Sequence, residues 1–211
     1  MFTGIIQTVG HIVASRPLTS SAPQSHNAGL QLTVHTTIDF LHEVAVGDSI
    51  AIQGACMTVT SRTADTFSVD VSAESLSKTT GLASVCAVNL EKALSLSTPL
   101  GGHLVTGHVD GLGQVAAVHA VGESWQLVVT APLGLAKFFA VKGSAVINGV
   151  SLTVNTVKDH AQGTDLAFNL IPHTWQNTTL CSLQAGDAVN LEIDLVARYL
   201  ERMVSYAPPS A

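Results

Sequence analysis

The chain has 211 residues, 46% apolar and 11% charged, with a formal net charge of −6. That balance argues against a nucleic-acid-binding protein, which needs a basic face, and no apolar run is long enough to cross a bilayer as a helix. Three cysteines, Cys56, Cys86 and Cys181, are too few and too scattered for a disulfide framework or a structural zinc site, and they point to a reducing, cytoplasmic compartment. So few charges for so much apolar material favours further burial in an oligomer.

The opening MFTGIIQTVG carries no secretory signal. It is followed by the polar stretch RPLTSSAPQSHNAG (16–29), read as a loop. SIAIQGACMTVT (49–60) and TFSVDVS (66–72) alternate apolar and polar residues and are rich in Val, Ile and Thr, as strands are. SAESLSKTT (72–80) can open a short helix at 74–80, with Glu74 and Ser75 as first-turn or capping residues. VNLE (88–91) closes this series and STPLGG (97–102) reads as a junction. GLGQVA (111–116) matches the form of a dinucleotide-binding loop. The residues after it alternate like a hairpin and not like a helix, so the match is set aside. SAVINGVSLTV (144–154), IPHTWQNTT (171–179) and a second VNLE (189–192) then repeat the earlier series, and a short helix at 173–179 would begin with His173 and Thr174. In LVARYLERMVSYA (195–207) the apolar residues fall on one helical stripe, which would pack on copies of itself or on its own barrel.

The chain is thus a duplication. The shared anchors, Thr3-Gly4/Thr106-Gly107, Ser49/Ser144, Ser72/Ile171 and the two VNLE motifs, keep their order with separations of 103, 95, 99 and 101 residues. Small shifts between fixed anchors are what loop insertions produce. Each unit, of about 97 residues, reads as a small closed β-barrel. The expected division is 1–97, 98–194 and a tail at 195–211.

His103 and His108 are separated by an odd number of residues and would face opposite sides of one strand. No cysteine or carboxylate cluster has zinc spacing, so no metal is expected. A set of small polar residues survives on the duplicated strands: Ser49, Cys56, Thr58, Ser151 and Thr153. Each alone suits a strand for ordinary reasons. The copies nonetheless differ in chemistry, with Cys56 against Ser151, Ile5 against His108 and Ala93 against Asp194. Asp194 suits either an N-cap for the tail helix or a functional asymmetry. The pattern suggests two related pockets with unequal tasks.

MFTGII, GACMTV, GGHLVTGHVDG, NGVSLTV, LIPHT and VNLEIDLVARYLER together resemble the riboflavin synthase family of the α-chain, duplicated-barrel type, from Met1 to about Met203. The resemblance implies an all-β fold of two tandem, pseudo-symmetric six-stranded barrels with a C-terminal α-helix. Each barrel would hold one 6,7-dimethyl-8-ribityllumazine. The implied enzyme, a transferase, moves a four-carbon unit between two such molecules and releases riboflavin and 5-amino-6-ribitylaminouracil, with no cofactor. It also implies a homotrimer through the tail helix, with the active site between the N-terminal barrel of one subunit and the C-terminal barrel of the next. Association with a lumazine synthase is left open. Carried over residue by residue, Ser49, Cys56, His108, Ser151 and Asp194 would be catalytic, the last three on the second barrel's side. Phe2, Thr58, Ala73, Glu74 and Ser75 would bind substrate in the first barrel and Thr153, Ile171, Pro172, His173 and Thr174 in the second, with Thr3 and Gly4 also substrate-binding. The rival reading is a lumazine- or flavin-holding antenna protein of the same fold, which would keep one good pocket and lose the other.

Overall fold

The computed structural model describes residues 1–18 and 29–206, so most of the loop at 16–29 and the last five residues fall outside the described residues. The first unit has strands β1 (Thr8–Pro17), β2 (Leu30–His35), β3 (Ser49–Ile52), β4 (Ala55–Arg62), β5 (Thr66–Val71) and β6 (Ala87–Lys92). They close into an antiparallel barrel in the order β1-β2-β5-β4-β3-β6. Period-two alternation does the sorting. On β4, Ala55, Met57 and Val59 are buried, whereas Cys56, Thr58 and Thr60 point outward. The inward set packs with Ile12, Leu32, Val34, Phe67 and Val69, so the barrel encloses a core and no channel. Helix α1 (Ile38–Leu41) adds Phe40 and Leu41 to this core. Helix α2 (Ala73–Lys78) starts where Ser72 Oγ accepts the Ser75 N–H at 3.1 Å. The cap is therefore Ser72, and Glu74 lies in the first turn.

The second unit repeats the order with one difference. Strands β7 (Gly111–Val121), β8 (Ser124–Pro132), β9 (Ser144–Ile147), β10 (Val150–Thr153), β11 (Thr156–His160), β12 (Gly163–Leu170) and β13 (Ala188–Ile193) form a sheet ordered β10-β9-β13-β7-β8-β12-β11. Its edge strands β10 and β11 are consecutive in the chain, so the sheet curls on itself. Together they stand for β4. In β4 the register slips between Val59 and Ser61, which leaves Thr60 as a bulge. At the matching place Asn155, a poor strand residue, divides the strand while its N–H still reaches Ala167 O at 2.8 Å. GLGQVA begins β7, a strand, as the hairpin pattern predicts. Helix α3 (Pro172–Gln176) follows β12.

The two units meet about a pseudo-twofold axis. Phe2 and Val105, equivalent residues, exchange N–H···O bonds of 2.7 and 3.0 Å. The two hairpin turns touch there. Gly54 and Gly149 have φ of +88° and +86°, and a Cβ on Gly54 would lie 2.7 Å from the Gly149 nitrogen. Both glycines of the twin motifs therefore serve the turn and the contact between units. The asparagines of the twin VNLE motifs stitch the same seam: Asn89 Nδ2 donates to Asn148 O and Asn190 Nδ2 to Gln53 O, each at 2.9 Å.

Helix α4 (Leu195–Ser205) carries the tail stripe. Asp194 caps it, its Oδ1 accepting the Val196 N–H at 2.8 Å. Arg198 grips Asp110 with both terminal guanidinium nitrogens, each at 2.8 Å. The apolar side is not laid on the barrel: Leu200, Met203 and Val204 are 57, 75 and 86% exposed. No helix among the described residues is long and apolar enough to cross a membrane.

Candidate active site

The polar residues of the first unit share one outward face. Ser49 stands opposite Thr58 in the β3–β4 ladder, and Cys56 is two residues along from Thr58. Helix α2 and the segment 107–109 wall part of this face. Together they enclose a cavity of about 220 Å³ lined by Cys56, Glu74, Ser75, Lys78, Gly107 and His108. The Cys56 N–H donates to Gly107 O at 2.8 Å, and Phe2 is buried behind both. His108 thus lies against the first unit, beside Cys56. The cause is a crossover: the segment entering the second unit lies on the first. Ser49 lines a neighbouring groove of about 400 Å³ with Gln7, Glu43, Asp48 and Lys92. Ala73 is the first residue of α2.

The second unit mirrors this by the reciprocal crossover. The Ser151 N–H donates to Gly4 O at 2.8 Å, so Gly4 packs against the second unit. Thr153 shares the outward face of Ser151 and stands opposite Ser144, the twin of Ser49. Ile171, Pro172 and His173 are exposed at the start of α3, with Thr174 half-buried beside them. His173 Nδ1 lies 3.4 Å from Asn177 Nδ2.

Residue-type reasoning passed over His103. Its Nδ1 lies 2.7 Å from Ser151 Oγ, and its Nε2 is buried without a hydrogen-bond partner among the described residues. Burial lowers its pKa below the ordinary histidine value, against a smaller opposing pull from the Asp194 carboxylate. The shift favours the neutral ring, which sits within hydrogen-bonding distance of the Ser151 hydroxyl. Asp194 is both the helix cap and a charge acting on His103. The signal for His103 lay in GGHLVTGH, where its spacing from His108 bears only on metal ligation.

Both crossovers are anchored by buried glutamates from VNLE. Glu91 accepts the Thr3 N–H and hydroxyl, each at 2.6 Å, and the Gly4 N–H at 2.9 Å. Glu192 accepts the Thr106 N–H and hydroxyl at 2.6 and 2.7 Å and the Gly107 N–H at 2.9 Å. The Thr3 hydroxyl is spent on this anchor. Burial raises the pKa of both carboxyls, and these hydrogen bonds pull it partly back.

A duplicated barrel with an outward polar face and a crossover strap on each copy defines a class. A sequence-family profile described as the lumazine binding domain matches residues 3–93 and 106–194, once per unit. Crystal structures of a protein called LumP, complexed with 6,7-dimethyl-8-(1′-D-ribityl)lumazine and with riboflavin, share the fold. Their TM-scores are 0.76 and 0.77 and their identities 22 and 23%, over 92% of this chain and 99% of theirs. The riboflavin synthase of Photobacterium phosphoreum is 38% identical, over 99% of this chain and 91% of its own. That of Mycobacterium bovis is 38% identical over 98% of this chain and its own full length. That of Saccharomyces cerevisiae is 33% identical over 97% of this chain and 86% of its own. The chain belongs to the riboflavin synthase family and is an enzyme of that family.

Proposed function

We propose that this chain makes riboflavin from two molecules of 6,7-dimethyl-8-ribityllumazine, one held at each unit, with 5-amino-6-ribitylaminouracil as the second product. The units are 1–97 and 98–194, with 195–211 joining subunits. The observation that carries the reading is the unequal doubling of one site: Cys56 with His108 on one copy, Ser151 with His103 on the other. Donor and acceptor are the same compound, so the two sites must treat like molecules unlike. Four carbons leave one ring system and join the other; no atoms are added and no oxidant is consumed.

The 7-methyl group of the lumazine is acidic because its carbanion delocalises into the ring, so a modest base suffices. The His103–Ser151 pair, neutral and hydrogen-bonded, is suited to that transfer or to activating a nucleophile at C7 of the other molecule. His108 stands over Cys56 for the complementary step. Helices α2 and α3 offer Glu74, Ser75, His173 and Thr174 to the ribityl hydroxyls. Holding two rings in register supplies much of the acceleration.

A trimer through α4 would bring the first site of one subunit to the second site of its neighbour. The exposed Leu200, Met203 and Val204 support that arrangement. The setting is cytoplasmic. The purified protein, given the lumazine alone, is expected to produce the absorbance of riboflavin over many turnovers; saturable binding without product would instead make it an antenna protein.

A further inference from the structure

The chain has two tryptophans, and they stack on each other. The rings of Trp125 and Trp175 lie 4.8 Å apart at an interplanar angle of 7°. Trp175 is on α3, two residues after His173. Trp125 is the second residue of β8 and pairs with Leu170, the last residue of β12 before the turn into α3. The stack therefore ties α3 to the strand beside its root.

The duplication shows what the stack replaces. Trp175 is the twin of Leu76 on α2. Trp125 is the twin of Leu30, which pairs with Val71, the last residue before Ser72. Leu30 and Leu76 both pack on the first core, and Trp125 and Trp175 both pack on the second. One leucine pair has become one tryptophan pair, with both members changed together.

The two helices also differ in how they start. Ser72 caps α2 through its hydroxyl, whereas Ile171, at the same place on α3, makes no side-chain cap bond. A five-residue helix cannot hold itself in water and depends on packing. Parallel offset aromatic rings add attraction beyond the area they bury. We propose that the Trp125–Trp175 stack is a positioning device that stands in for the missing cap and sets where His173 and Thr174 meet substrate in the second site. The proposal rests on the second site's role in holding a lumazine.

Trp175→Leu and Trp125→Leu test it, since leucine is what the first unit carries at both places. Amide hydrogen exchange is expected to quicken about two- to tenfold at 172–178 in either variant, with 73–79 as the unchanged internal control. The KM for the lumazine should rise by a similar factor while kcat changes less. Trp175→Phe, which keeps a ring to stack, should restore both. The double variant should be hardly worse than either single one, because the partners act as a pair. Exchange that is unchanged, or raised evenly along the chain, would overturn the proposal. So would faster exchange at α3 with an unaltered KM, which would leave the stack a stabilising contact alone. Absence of turnover in the unmodified protein would remove the functional reading itself, and the wild type alone reports that failure.

Discussion

Cys56 and Ser151 stand at equivalent places in the two units, and each gives its backbone N–H, at 2.8 Å, to a glycine carbonyl from the start of the other unit: Gly107 for Cys56, Gly4 for Ser151. The two sites share a frame and differ in the groups set into it. Activity then depends first on the frame. Cys56→Ala is expected to lower kcat by about tenfold or less, because the thiol is one of several groups and ring positioning carries more of the barrier. Loss of all turnover with lumazine affinity intact would show instead that the thiol is indispensable.

His103 is expected to matter more. His103→Ala should lower kcat by about 100-fold, a usual contribution for a positioned acid or base, with a small effect on lumazine affinity. The pH profile carries the same argument. Burial holds the imidazole pKa below 6.5, so the neutral ring persists at neutral pH, and kcat should fall only on the acid side of that value. The acid limb should vanish in His103→Gln. An unchanged limb would assign it to another group.

Glu91 and Glu192 make a prediction about stability. Burial raises their pKa from 4.5, so the folded state favours the protonated form. Their contribution to stability is fully present below that value and is lost as pH rises through the higher folded one. Glu91→Gln removes this dependence, but it turns an amide group toward the Gly4 N–H. The expected cost at neutral pH is about 1–3 kcal/mol, together with a flatter stability profile above pH 4.5. Urea unfolding across pH reads both, and a variant with the wild-type slope would count against the assignment.

The exposed stripe of α4 predicts association. Leu200→Asp with Met203→Asp should convert the assembly to monomers in light scattering. If each active site is shared between subunits, riboflavin formation should fall with it. Full activity in a monomer would place both substrates on one chain.

Much of the frame was legible in the residues. Four ordered anchors exposed the duplication, alternation set Cys56, Thr58, Ser151 and Thr153 on outward faces, and the spacing at 195–207 revealed the tail helix. The divided fourth strand was not legible, because Asn155 and Thr60 are both plausible at a bulge and only pairing separates them. Nor was the seam: nothing along either hairpin turn shows that Gly54 and Gly149 press on each other.

By itself the sequence determined that there are two units, what faces their strands present and where their chemistry differs, because these are properties of local period and of comparison between copies. Only the tertiary structure decided which unit each group packs against. Gly4 joins the second unit, His108 the first, and His103 meets Ser151, 48 residues away in the chain. Those assignments arise where two segments cross between pseudo-symmetric barrels and buried carboxylates hold them there. No pattern along a strand encodes a crossing, since it is fixed by hydrogen bonds between residues more than 80 positions apart.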